Sequence, residues 1–323
     1  MALLLLEKDV RRFLTMEAAL EAVEEVLASV TRGEALNVPR HRGEHAGTTI
    51  NMMAAISSPL DATAVKCYPL IRKDVTVGST WQVLVYRISS GELVGILEAN
   101  ALSQIRTGAA SGVATKYLAR PESRVMALFG PGWQARTQLE AIALVCPRLE
   151  RVHVIGRSPA RVKEFCEVMR SQVDVELIGG GDPEAAVRDA DIVTTITGSK
   201  DPVFDGRWLK PGTHINAAGS NYSTKRELDA TAIQRSNLIV VDDLPLARIE
   251  SGDLLHADAQ PHVNWERVHT LGDVVAGKAP RRTSADEITL FESHGLALED
   301  LAVACRVLDL ARASGAGMEL PLK

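Results

Sequence analysis

Aromatic residues make up only 4% of this 323-residue chain. That scarcity argues against a platform for stacking bases, which needs repeated aromatic faces. Positive charge is not in excess either, with 36 Lys and Arg against 41 Asp and Glu and a net charge of −5. A nucleic-acid partner, which calls for a basic footprint, is therefore not expected. No apolar run approaches the ~20 residues that span a bilayer. The opening MALLLLEKDV has no basic residues ahead of its apolar stretch and no small-residue cleavage site. Neither a membrane partner nor a signal peptide is expected, and the expected location is cytoplasmic. Cys67, Cys146, Cys166 and Cys305 form no CxxC pair, which fits reduced, mostly buried thiols. His41 and His45 have helical spacing, but Gly43 between them marks a loop, and no metal site is expected.

What is present is an ordinary globular balance, 46% hydrophobic and 24% charged, at a length that accommodates two domains. Residues 15–35 read as an amphipathic helix capped by Thr15, with Leu20, Val23, Leu27 and Val30 at helical spacing. Short β-type runs follow at 48–56, 62–70 and 79–88, and the turn Ser89-Ser90-Gly91 makes 79–99 a hairpin. Strands without intervening helices predict a mostly antiparallel sheet. From residue 101 the pattern alternates, helix 101–118 leading into strands at 125–129, 152–155, 175–178, 192–196, 213–218 and 238–241. Helices at 134–145, 159–171 and 183–190 separate the first of these strands. Such alternation predicts a doubly wound parallel sheet. A last amphipathic helix, 298–313, lies beyond the alternating block and is free to pack on the first domain.

The sharpest motif is Gly130-Pro-Gly132-Trp133-Gln134-Ala135, a GxGxxA turn that leaves the strand Val125–Phe129 and opens a helix. Gly130 allows the tight turn, Gly132 lets the backbone approach a pyrophosphate, and Ala135 keeps helix and strand close. The helix start then offers N–H groups and a positive dipole end to the phosphates. At the end of the second strand the acid that would bind the ribose hydroxyls of NAD is missing; Gly156-Arg157-Ser158 stands there instead. Arg157 and Ser158 suit a 2′-phosphate, which favours NADP(H) while leaving NAD(H) open. An arginine facing solvent is the plain alternative.

Candidate substrate residues lie in the first part. Lys66 sits in an apolar strand, opposite in direction to Val65 and Cys67, where it either reaches solvent or lines a pocket and moves protons. Arg40 follows Pro39 just before the sheet, as a loop arginine suited to a carboxylate. Arg106-Thr107-Gly108-Ala109-Ala110-Ser111 combines a charge, hydroxyls and small residues that permit close approach, which makes Arg106 and Thr107 candidates to touch both the cofactor phosphates and the substrate. Pocket shape depends on Met53, Tyr68 and Trp81. His294 reads equally as a nicotinamide contact or proton donor and as a hydrogen-bonded structural histidine.

Taken together, these segments resemble the ornithine cyclodeaminase/mu-crystallin family. The resemblance also covers Asp191-Ile192-Val193-Thr194-Thr195, Gly219, Arg226-Glu227-Leu228-Asp229 and Glu287-Ile288-Thr289-Leu290-Phe291, nearly the whole chain in order. It implies an α/β fold: a Rossmann-type doubly wound parallel sheet domain at 113–295, plus an α+β substrate-binding and dimerisation domain from 1–112 and 296–323. It further implies a homodimer and an activity among cyclodeaminases, alanine dehydrogenases and imino-acid reductases. Arg40, Lys66 and Arg106 match residues that bind the substrate carboxylate and assist proton movement. Thr107, Gly132, Gln134 and Arg157 match cofactor contacts; Gly130, Trp133, Ala135, Ser158, Thr195, Gly219 and His294 complete the expected cofactor set. With Met53, these residues define an NAD(P)-dependent site for a small amino or imino acid.

One departure bears on the reaction. Where cyclodeaminases and the archaeal type of alanine dehydrogenase carry an aspartate shortly after the glycine matched by Gly219, this chain has Asn221. An amide cannot serve as a general base, though it can hydrogen-bond an amine or imine nitrogen. The exchange favours reversible hydride transfer to a 2-imino acid or cyclic ketimine over conversion of ornithine to proline and ammonia. A cofactor-binding protein without turnover, as the crystallin relative suggests, is the alternative of another class; the retained Arg40, Lys66 and Arg106 argue against it.

Overall fold

The computed structural model describes residues 1–71, 80–258 and 263–322. The chain divides into two compact units, Met1–Arg106 with Leu296–Lys323, and Thr107–Gly295. Unit one contains β1 (Ala2–Leu5), α1 (Glu7–Phe13), α2 (Met16–Thr31), β2 (Ala35–His45), β3 (Thr48–Ser57), β4 (Ala62–Ile71), β5 (Gln82–Arg87) and β6 (Leu93–Glu98). It also holds the start of α3 (Asn100–Leu118) and, from the far end of the chain, α11 (Ala297–Ser314) and β15 (Met318–Leu320). The strands form one sheet in the order β15-β1-β6-β5-β4-β3-β2, antiparallel except where β1 meets β6. Helix α11 lies across β2 to β5 and against α2.

Local chemistry explains the boundaries. Thr15 caps α2 by accepting from the Ala18 N–H, as the sequence implies. The helix does not run to residue 35, however. It stops at Thr31, because Gly33 takes a left-handed φ of 75° and turns the chain into β2. That strand corrects a second expectation: Arg40, His41, Gly43 and His45 lie in β2, not in a loop. The pairing of β2 with β3 shifts register between Val38 and His41. Pro39, which has no N–H to give a ladder, sits in this bulge, and the extra residue redirects Arg40 into the interior. The expected strand 79–88 appears as β5, paired antiparallel with β6; its first residue, Ser79, lies outside the described residues.

Unit two carries β7 (Val125–Phe129), α4 (Trp133–Val145), β8 (Arg151–Ile155), α5 (Pro159–Met169), β9 (Glu176–Gly179), α6 (Pro183–Asp189) and β10 (Ile192–Thr195). It continues with β11 (His214–Ala217), α7 (Ala230–Arg235), β12 (Leu238–Val241), α8 (Leu244–Glu250), α9 (Gly252–Asp258), β13 (Val268–Thr270), α10 (Leu271–Val275) and β14 (Thr289–Glu292). The sheet is parallel throughout, in the order β13-β12-β14-β11-β10-β7-β8-β9. Alternate residues of β7 feed opposite cores, Ala127 and Phe129 into one cluster and Met126 and Leu128 into the other. Both faces are thus covered, as a parallel sheet requires. The alternation reading passed over strands β13 and β14 and helices α7 to α10, all seven residues or shorter; central β14 follows an irregular stretch instead of a helix.

Among the described residues, no helix is long and apolar enough to cross a membrane. Cys146 and Cys166 are buried, whereas Cys67 and Cys305 are only half-buried, so the expectation of mostly buried thiols holds for half the set.

Candidate functional site

In unit one the sheet's inner face assembles a charged cluster. Arg40, Met53 and Lys66 all point inward, and Met53 and Lys66 are direct partners across β3 and β4. Lys66 is only 2% exposed, while its neighbours Val65 and Cys67 turn outward, so the alternation reading holds. Its Nζ donates to Asp300 Oδ1 at 2.8 Å and lies 5.5 and 5.4 Å from the ring centres of Tyr68 and Trp81. The same Asp300 oxygen accepts from Arg106 Nε at 3.2 Å, and Arg106 Nη1 reaches Glu299 Oε2 at 2.9 Å. Asp300 Oδ2 is buried and has no hydrogen-bond partner among the described residues.

Burial lowers the Lys66 ammonium from its ordinary range to about 8, with Asp300 opposing the fall and Arg106 and Arg40 adding to it. Burial also acts to lower Arg106, but Asp300 and Glu299 outweigh it and the guanidinium is raised. A lysine poised near 8 exchanges protons close to neutral pH, while an arginine beside it stays a fixed cation.

Asp300 and Glu299 were not among the sequence candidates. The signal was present: α11 places two adjacent acids among Ala297, Leu298, Leu301, Ala302 and Val303, all buried. Charged residues are almost never fully buried unless paired. Asn51 and Tyr68, direct partners across β3 and β4 on the same inner face, complete the cluster.

Unit two gathers the remaining candidates at the carboxyl ends of its parallel strands, where open α/β sheets bind ligands. Gly130 leaves β7 with φ 93°, and a Cβ there would lie 2.7 Å from Ile196 O. Gly132 caps α4 without a side chain, and a Cβ on it would meet nothing closer than 3.9 Å, leaving the helix start open. Ala135 is fully buried under the helix, Trp133 is exposed, and Gln134 Oε1 is buried without a partner among the described residues. An uncapped, side-chain-free helix start fits a dinucleotide pyrophosphate. Behind it, Gln138 Nε2 donates to Thr107 O, tying α4 to α3. Arg157 is exposed just past β8, and Ser158 caps α5, its Oγ accepting from Arg161 N at 3.4 Å.

Thr195 and Gly219 have partners of their own. Glu227, fully buried, accepts from Thr195 Oγ1 at 2.9 Å, Thr197 N at 2.5 Å and Gly219 N at 2.9 Å. One carboxylate thereby ties together the loops that follow β10 and β11. A Cβ on Gly219 would sit 2.5 Å from that carboxylate, so the glycine is obligatory here. Burial pushes Glu227 up to about 7. His294 is buried, its Nδ1 3.1 Å from Asp242 Oδ1, and Asp242 Oδ2 accepts from the N–H groups of His294 and Gly295. Asn221 is half-buried in the loop after β11.

A parallel sheet with an open glycine turn defines a dinucleotide-binding α/β protein. The model of the ornithine cyclodeaminase/mu-crystallin family matches residues 1–315, and the chain belongs to that family. Three solved structures are similar over nearly the whole chain. Δ1-Pyrroline-2-carboxylate reductase of Thermococcus litoralis, in complex with NADH and L-proline, is 31% identical with a TM-score of 0.92, covering 98% of this chain and 100% of that one. An archaeal alanine dehydrogenase dimer with bound NAD is 30% identical, TM-score 0.93, covering 100% and 99%. The iminosuccinate reductase of Paracoccus denitrificans in complex with NAD+ is 29% identical, TM-score 0.91, covering 99% of each chain.

Proposed function

We propose that this chain is an NAD(P)-dependent oxidoreductase that interconverts a small 2-imino acid and the corresponding amino acid. The observation that carries this reading is Lys66, buried between arginines and lowered to about 8. When bound, the dinucleotide supplies or accepts the hydride. In the reductive direction the C=N π bond opens, carbon gains the hydride and nitrogen gains a proton. Arg40 pairs with the substrate carboxylate, for which its planar fork is suited. Arg106, held by Glu299 and Asp300, adds a second fixed cation. Lys66 Nζ gives the proton to nitrogen, or removes it in the reverse direction. Asn221 has no basic oxygen to take a proton, which disfavours ornithine cyclodeamination.

Absorbance at 340 nm tests this with amino acids, and with 2-oxo acids plus ammonia or methylamine. Net oxidation or reduction supports the reading. Proline and ammonia from ornithine without net absorbance change would hand it to a cyclodeaminase, and silence with tight cofactor binding to a binding protein.

For the cofactor, the absence of an acid after β8 and the exposed Arg157 support NADP(H), although the similar structures hold NADH, NAD and NAD+. Arg157→Ala should weaken NADPH on the order of ten-fold or more, as loss of a charge-assisted hydrogen bond does, and leave NADH nearly unchanged. Equal weakening of both would remove the case for NADP(H).

The outer face of the first sheet supports a homodimer. Leu36 and Ile56 are partners across β2 and β3, and with Ile50, Met52 and Val65 they are exposed on one face. Contiguous apolar surface of this kind marks an interface. The similar archaeal alanine dehydrogenase is a dimer. A solution mass twice the 34.8 kDa chain is expected by light scattering.

A further inference from the structure

The substrate-side cluster holds one donor that the reaction itself does not use. Asn51 is 0% exposed on the inner face of β3, and its Nδ2 has no hydrogen-bond partner among the described residues. The amide's orientation is set, because Arg42 Nε donates to Asn51 Oδ1 at 3.2 Å. The NH2 group therefore faces away from Arg42. Asn51 pairs with Arg42 on one side and with Tyr68 on the other, and Met53, partner of Lys66, is the next inward residue along β3. A buried amide donor without an acceptor is costly, which argues that a ligand atom completes it.

The neighbouring charge points the same way. Asn51 is held by Arg42 from β2, and Lys66 lies on the same inner face two pairs along the β3–β4 ladder. A second carboxylate on the substrate's side chain would give the Asn51 amide its acceptor beside the Arg42 guanidinium.

We propose that Asn51, with Arg42 beside it, is a specificity-determining subsite that binds a side-chain carboxylate, so that the preferred substrate is a 2-imino dicarboxylic acid. This rests on the reading of the chain as an imino-acid reductase. A cyclic or purely aliphatic imino acid presents only the α-carboxylate, which pairs with Arg40, and brings no second carboxylate to the Asn51 donor. The balance of the reaction is unchanged: hydride to carbon, proton to nitrogen, two electrons from the dinucleotide.

The experiment compares kcat/KM for oxaloacetate plus ammonia, pyruvate plus ammonia, and Δ1-pyrroline-2-carboxylate. The wild-type protein should favour the oxaloacetate-derived imine at least about ten-fold over both others, the discrimination expected when a site built to hydrogen-bond a group meets a substrate lacking it. Asn51→Leu should cut the oxaloacetate rate on the order of ten- to a hundred-fold and lower the pyruvate rate by a clearly smaller factor, so that the preference between the two collapses. Asn51→Asp, which sets like charges together, should lower it at least as far. Turnover of pyruvate or the cyclic imine at an equal or higher rate would overturn the subsite while sparing the reductase reading. Silence with every imine, in protein that still binds the dinucleotide, would sink the reductase reading itself. If Asn51→Leu fails to fold, the wild-type comparison alone decides.

Discussion

Lys66→Met should lower turnover on the order of a thousand-fold, within the range that positioned proton transfer contributes, while dinucleotide affinity stays within about two-fold. Methionine fills much of the lysine's space without its charge, and Asp300 keeps its Arg106 partner. The wild-type pH profile supplies the companion measurement. Because burial brings Lys66 to about 8, amine oxidation, which needs the neutral amine, should rise as pH passes upward through about 8. Imine reduction, which needs the ammonium, should fall across the same interval. Both limbs should vanish in Lys66→Met. Full activity in that variant, or limbs that persist, would refute the assignment.

The second large effect is expected at Asp300, which joins Lys66 to Arg106 from inside the core. Asp300→Asn preserves volume but leaves two buried cations short of their anion. Breaking a buried pair in this way costs about 3–5 kcal/mol, read as a lower midpoint in denaturant or heat. Lys66 should also lose the attraction that opposes its desolvation, so its ammonium becomes still easier to deprotonate. The rising limb of amine oxidation should then move below the wild-type position. A merely structural Asp300 would lower stability without moving that limb, so an unmoved limb would sink its role in holding the lysine proton.

Legibility in the sequence depended on the distance over which each feature is encoded. The cap at Thr15, the turn at Gly130 and the alternation of β4 each depend on a few consecutive residues, and each appears where the sequence places it. Arg40 was legible as a residue but not as a strand position. Pro39 and Gly43 suggest a loop, and only pairing with β3 shows the bulge that turns Arg40 inward. Glu227 belongs to a motif visible in the sequence, yet its task of tying two loops together depends on Thr195, Thr197 and Gly219, which only the folded sheet brings to it.

By itself the sequence determined the dinucleotide turn, the two kinds of sheet and the identity of the lysine and arginines. These follow from backbone preferences and side-chain periodicity, which act within a turn or a strand. The tertiary structure alone decided the chemistry of that lysine. Its proton affinity is set by removal from water and by a carboxylate 234 residues away along the chain. Likewise, only β2 and β4 packed beside β3 show that the Asn51 amide is buried and oriented, its NH2 without an acceptor among the described residues. Desolvation and charge pairing act through space, and space between distant segments is what folding supplies.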